Sequence, residues 1–491
     1  MLLRHVAVLA GSQLSTWIIA LVAAYTIPRY LGAELMGRFH LANSIWALAA
    51  VFIGFGTTVA VTRGIARDRT RVGEMLGGAI LLRLSLIAPV AVAVFAFGFI
   101  VEYPRQMIEL LAIVGVGVAV QGISEAMTAT LKGLDRMGPA SMAVVVGRLV
   151  FVGGAVVLLL LDFSVLAVAS MALVGSIASV LVQIAPLRRA ARELDHSPTV
   201  SLRTDNVIPL ARESAPFLWI ALSIALYQQL DIIILSLLVD EGEVLGWYAL
   251  YERLAGTLLF VPSIFMTAVF PTISRLFADP GHGDRADGLG NRIIRKTFDV
   301  MVITSVALGF GTAAIAHQLI ALVYGDEFAG TADVLVVGGV VLMLTYLTTV
   351  LGHFLIAMDK QRQWTLFILL GAVLTVPADL ILIPVFQSNT GNGALGASLG
   401  FLFTESVVLI GAISLLPRGA LSWANASLAL RAVLAGGLMV LAVVAIGDLP
   451  LPLRVGVGAI IYLVLSVLFR VVSADDRQMI RHEVAARVGN R

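Results

Sequence analysis

The chain has no cysteine among its 491 residues. That excludes disulfides, thiol nucleophiles and cysteine-held metals. Charge is also scarce. Asp, Glu, Lys and Arg make up 13% of the residues, against roughly 25% in soluble globular chains. Neither a Gly-x-x-x-x-Gly-Lys-Ser/Thr phosphate loop nor a His-Glu-x-x-His zinc motif is present. Nucleotide hydrolysis at a Walker-type site and zincin chemistry are thereby excluded, and covalent catalysis is not expected. Long polar stretches are missing too. The two longest, near 188–214 and 275–297, are too short to fold as domains. Any chemistry is expected within a membrane or at its faces.

What remains is apolar. Hydrophobic residues are 59% of the chain, and mean hydropathy is +0.97. About 20 residues at about 1.5 Å each cross the hydrocarbon of a bilayer. About fourteen runs reach that length, from 6–27 to 454–472. Barrel strands would alternate in polarity, and these runs do not. The expected class is therefore an all-α integral membrane protein. Arginine and lysine orient it. With the N-terminus inside, the inner loops hold Arg63, Arg67, Arg69 and Arg71, then Lys132 and Arg136, then Arg188 to Arg212, and so on to the tail. Outer loops hold only Arg29, Arg38, Arg105 and Arg454. The expected location is the cytoplasmic (inner or plasma) membrane, with both termini cytoplasmic.

A short repeat divides the chain. Gly37-Arg-Phe39-His-Leu41 opens the second run and Gly246-Trp-Tyr248-Ala-Leu250 opens the eighth. The expected organisation is an N-terminal six-helix lobe (1–204), a C-terminal six-helix lobe (205–416), and two additional helices with a basic tail (417–491). Two related halves around a central site is a common plan of secondary transporters.

Charges inside the apolar runs mark candidate sites, because each costs at least about 2.5–3.5 kcal/mol there. In the first half they are Arg83, Glu125 and Arg148, all in the inner half of the bilayer. They suggest a cationic pocket for an anionic head group, since Arg binds phosphate bidentately. The alternative is an Arg–Glu tie between helices. In the second half, Asp231, Glu252, Arg253 and Asp379 share a depth, with Glu405 near the middle of its run. The excess negative charge calls for protonation or a bound cation. Thr375 stands one helical turn before Asp379, and Ser398 is at comparable depth. The alternative is a structural Asp231–Arg253 tie. Pro89, Pro262 and Pro377 favour kinks. The segment 477–491 reads as a basic surface helix suited to anionic lipid.

Several motifs carry a family resemblance: Tyr30-Leu31-Gly32 with Gly37-x-Phe39, Gly54-Phe-Gly56, Arg63-Gly-Ile-Ala-Arg67, Asp231, Gly246-x-Tyr248, Pro262, Pro271, Tyr324-Gly325-x-Glu327-Phe328, Pro384, and Gly393-Ala-x-Gly396-Ala. Over about 10–415 the chain resembles the polysaccharide and O-antigen flippases of the multidrug/oligosaccharidyl-lipid/polysaccharide exporter superfamily. The resemblance implies two six-helix lobes in a V around a cavity that opens alternately to each side. It implies movement of a prenyl-(di)phosphate-linked oligosaccharide from the inner to the outer leaflet. Arg148, Arg83, Arg63 and Arg253 are the expected substrate-binding residues. No cofactor is implied beyond a coupling ion, Na+ or H+. Related lipid II flippases carry a sodium site on helices 7, 11 and 12. Asp231 and Asp379 match its acidic positions, and Thr375 stands where an amide is expected. Ser398 and Glu405 complete the ion-coupling candidates. Expected partners are the lipid-linked oligosaccharide, membrane lipid, and a polysaccharide polymerase with its assembly proteins, and no nucleic acid. The alternatives are a drug/cation antiporter of the same superfamily, a membrane polysaccharide polymerase or transferase, and a scaffold protein.

Overall fold

The computed structural model describes residues 2–193, 203–278, 283–447 and 449–471. The basic 477–491 segment lies outside them. The described residues form helices, in order α1 (Leu2–Gly54), α2 (Thr57–Arg67), α3 (Val72–Ile100), α4 (Arg105–Gly133), α5 (Met137–Leu160), α6 (Val165–Glu193), α7 (Val207–Leu238) and α8 (Gly242–Leu258). They continue with α9 (Phe260–Ala278), α10 (Gly283–Val323), α11 (Ala329–Ala357), α12 (Gln361–Thr390), α13 (Gly393–Ser414), α14 (Trp423–Ala445) and α15 (Leu451–Leu468). Among the described residues, 13 helical stretches are long and apolar enough to cross a membrane. The first of them, Ser15–Arg67, has 53 residues. At about 1.5 Å per residue that is more than twice a bilayer core of about 30 Å, so it makes two crossings. This is a multi-pass membrane protein.

Helix α1 departs from the sequence reading, which placed a loop with Arg29 and Arg38 between two spans. The chain instead turns at a single residue. Gly32 has φ 75° and ψ 172°, and helix continues on both sides. Only glycine takes that conformation cheaply. The next break is Phe55-Gly56, both at positive φ, which separates α2 from α1. In the eighth run the break falls at Leu259, between α8 and α9. Pro262 has no N–H to offer the carbonyl four residues back. That carbonyl, of Leu258, accepts from the Tyr346 hydroxyl instead, at 2.6 Å.

The chain forms two compact units. The first comprises Met1–Thr257, Val323–Gly330 and Ile368–Gly400, and the second Leu258–Leu322, Thr331–Phe367 and Phe401–Arg491. In the first unit α1 packs on α5 and α7, and α4 packs on α6. One apolar core joins α2, α3 and α4 through Val61, Ile65, Met75, Ala79 and Ala129, with Leu210 of α7. A polar seam runs between α4 and α6: Ser124 bonds Ser179 at 2.7 Å, and Thr128 donates to Gln183 at 3.0 Å. In the second unit, α14 and α15 join α10, α11 and α13 through Ala432, Ala435, Met439, Val443 and Tyr462. Exposed apolar side chains such as Leu463, Val464 and Leu468 are suited to hydrocarbon.

The two glycines of the sequence repeat meet in the first unit. A Cβ on Gly37 would lie 2.6 Å from the Gly246 nitrogen, and one on Gly246 would lie 2.0 Å from the Ala33 oxygen. Backbone therefore rests on backbone where α1 crosses α8, the close approach that small residues permit in membranes.

Candidate functional site

That crossing positions the site. His40 lies three residues beyond Gly37 and Glu252 six beyond Gly246, so the contact brings them together. His40 Nε2 and a Glu252 carboxylate oxygen are 2.5 Å apart. With Gln229 of α7 and Arg253 of α8 they line a cavity of about 250 Å³. The sequence reading missed His40 and Gln229. The available signal was the repeat, which places both motif glycines one to two turns from a polar side chain.

Arg253 has no ion pair with a carboxylate among the described residues. Its neighbour in electrostatic terms is Tyr324. The structural Asp231–Arg253 tie is not formed. Asp231 interacts instead with Asp379 and Glu252. Tyr248, fully buried, lies within reach of all three.

Asp231 and Asp379 are 2% and 0% exposed. One oxygen of Asp231 and both oxygens of Asp379 have no hydrogen-bond partner. A Cβ on Gly400 would lie 2.2 Å from Asp379 Oδ1, so the missing side chain at Gly400 makes room for that carboxylate. Two buried carboxylates with three orphan oxygens need a shared proton or a cation. Thr375 is buried on α12, where its hydroxyl donates to the Gly371 carbonyl at 3.1 Å. Its oxygen keeps lone-pair capacity. Ser398 is fully buried on α13, and its hydroxyl is also unpartnered. Gly396-Ala-Ser398-Leu-Gly400 matches the letters of a Gly-x-Ser-x-Gly nucleophile elbow, but it lies within helix α13 rather than at a strand-to-helix turn. Glu405 belongs to the second unit, where it accepts from Thr348 of α11.

The first-half arginines differ from one another. Arg83 is 1% exposed. It donates to Thr57 Oγ1 at 3.1 Å, Thr58 Oγ1 at 2.9 Å, the Gly122 carbonyl at 2.5 Å and Glu125 at 3.3 Å. This is the Arg–Glu tie between helices that the sequence offered as an alternative. It braces the start of α2 against α4. Arg148 on α5 and Arg63 on α2 are exposed and have no partner among the described residues.

Comparison with known proteins follows the same direction. Residues 2–277, more than half of the chain, match the family model described as "Polysaccharide biosynthesis protein". The probable low-salt glycan biosynthesis flippase Agl15 of Haloferax volcanii is 20% identical over 385 residues, covering 77% of this chain and 76% of that protein. Among solved structures, the lipid II flippase MurJ in an inward closed conformation has a TM-score of 0.67 at 12% identity, covering 95% of this chain and 99% of that one. An inward-facing multidrug resistance MATE family transporter has a TM-score of 0.64 at 16% identity, covering 89% and 100%. At those identities the two structures speak to fold alone. The family match speaks to descent, and the chain belongs to the polysaccharide biosynthesis protein family.

Proposed function

We propose that this protein moves a prenyl-(di)phosphate-linked oligosaccharide from the inner to the outer leaflet by alternating access of two six-helix lobes, coupled to Na+ or H+. The observation that carries the reading is Arg253. It is a guanidinium within a membrane-spanning helix, on the wall of a polar cavity, with no carboxylate partner among the described residues. Such a charge is costly in hydrocarbon, and an anionic ligand offsets the cost. Arg253 holds the (di)phosphate, and the unpaired Arg148 and Arg63 supply further cationic surface along its route. Arg83, with its donors spent on the protein, acts as a brace.

Asp231 and Asp379 hold the coupling ion, with Thr375 and Ser398 as added oxygen donors. An all-oxygen set suits a hard cation, and the orphan oxygens agree with one. The ion supplies positive charge that offsets the carboxylates' repulsion. It drives transport only through a difference in affinity between the two states.

Equilibrium binding of a prenyl-diphosphate oligosaccharide to purified protein tests the head-group assignment. Arg253→Ala is expected to weaken binding about 10- to 150-fold, the loss of one charge-assisted contact. Arg253→Lys is expected to recover part of it. Unchanged affinity in Arg253→Ala overturns the assignment.

A further inference from the structure

The motif Tyr324-Gly325-x-Glu327-Phe328 meets the site above only through Tyr324, the electrostatic neighbour of Arg253. It lies in the connection between α10 and α11. That connection, Val323–Gly330, packs with the first unit, although α10 up to Leu322 and α11 from Thr331 belong to the second.

Four contacts hold it, and two of them fill vacancies in helix hydrogen bonding. Pro28 inside α1 has no N–H for the Ala24 carbonyl. The Tyr324 hydroxyl donates to that carbonyl at 3.1 Å. The last carbonyls of a helix lack partners within it. Val323 ends α10, and its carbonyl accepts from Arg29 at 3.2 Å. The third contact is the Trp247 indole N–H, which donates to the Glu327 carbonyl at 2.8 Å. The fourth is at the α1 turn, where a Cβ on Gly32 would lie 2.8 Å from a Glu327 carboxylate oxygen. Phe328 is 1% exposed and anchors the segment.

We propose that Val323–Gly330 is a releasable strap, seated on the α1–α8 crossing by Tyr324 and Glu327, and that its detachment is a required step of the transport cycle. Both carbonyls in these bonds, that of Ala24 in α1 and the strap's own at Val323, sit at breaks in helix bonding, so release frees them without unwinding a helix. The covalent chain joins the strap to α10 and α11. Any rearrangement of those helices must carry it or detach it.

The absence of native cysteine makes the test clean. The transport arm rests on the flippase reading, whereas the labelling arm reads the strap alone. In the labelling arm, Ala24→Cys, at a buried position, reports release by its rate of reaction with a maleimide. Adding Tyr324→Phe is expected to raise that rate about five-fold, the worth of one net hydrogen bond. Ala60→Cys, buried in the α2–α4 core, is expected to label at an unchanged rate. In the transport arm, Ala24→Cys with Tyr324→Cys is bridged by a bifunctional methanethiosulfonate of about tyrosine length. Bridging is expected to stop lipid-linked oligosaccharide flipping in proteoliposomes, and reduction to restore it. An unchanged Ala24→Cys rate, an equal rise at Ala60→Cys, or full flipping in the bridged protein overturns the proposal. Loss of flipping in the unbridged wild-type protein would count against the flippase reading and leave the labelling result standing.

Discussion

Replacing Arg83 with Met separates a brace from a ligand. The substitution keeps most of the apolar stem and removes the guanidinium. Four acceptors lose a donor: Thr57 Oγ1, Thr58 Oγ1, the Gly122 carbonyl and Glu125. Hydrogen bonds to a charged group are worth about 1.5–3 kcal/mol each in isolation. Part of that sum offsets the cost of burying the charge, which the variant no longer bears. Thr57 also donates to the Gly54 carbonyl at 2.6 Å and keeps that bond. Glu125, 50% exposed in its side chain, can turn to water. The net expectation is a loss of about 2–4 kcal/mol of stability. Glu125→Gln, by contrast, is expected to cost less than about 1 kcal/mol, as for other solvent-accessible pairs. Thermal unfolding of the detergent-purified variants, followed by tryptophan fluorescence, reads both. Flipping by the fraction that remains folded is expected to be near wild type in each. If Arg83→Met melts like the wild type yet binds no lipid-linked oligosaccharide, Arg83 is a substrate ligand and the brace is wrong.

Other expectations are equally direct. Gly246→Ala places a Cβ 2.0 Å from the Ala33 oxygen, and overpacking of about 1–3 kcal/mol is expected to lower the melting temperature. Little change in melting would mean that α1 and α8 separate freely. Asp231→Asn and Asp379→Asn are each expected to abolish the response of flipping to Na+ or H+ gradients while equilibrium substrate binding persists. Retention of that response in both variants would make the pair structural. Glu241→Cys and Gln387→Cys are expected to react with an impermeant maleimide from outside intact cells, and Asp205→Cys is not. The reverse pattern would overturn the charge-based orientation.

The class of fold was legible because apolar runs of membrane length allow few alternatives. The details of α1 were not. A loop between spans and a single left-handed residue have the same sequence signal, a glycine among polar residues, and only packing tells Gly32 from a longer turn. The Pro262 break was legible in kind. Its repair by Tyr346 was not, since the two are 84 positions apart in the chain and no local pattern joins them. In the site, Asp231 and Asp379 were found from depth alone, because a carboxylate in an apolar run is conspicuous. Depth gave no direction around the helix. It grouped Glu405 with that pair and gave no sign that Glu405 accepts from Thr348 of α11. It also grouped Arg83 with Arg148, although one is spent on the protein and the other is not. His40 escaped notice because a lone histidine near a helix start most often serves packing. Its role emerges only where Gly37 meets Gly246.

The central claim is transport of a lipid-linked oligosaccharide through the Arg253 cavity. A fluorescent prenyl-diphosphate oligosaccharide in proteoliposomes, quenched from one side only, measures it. Full quenching is expected with the wild-type protein, and only the outer-leaflet fraction with empty vesicles or Arg253→Ala. Quenching by the wild type no greater than in empty vesicles, with the protein folded and an ion gradient imposed, would contradict it.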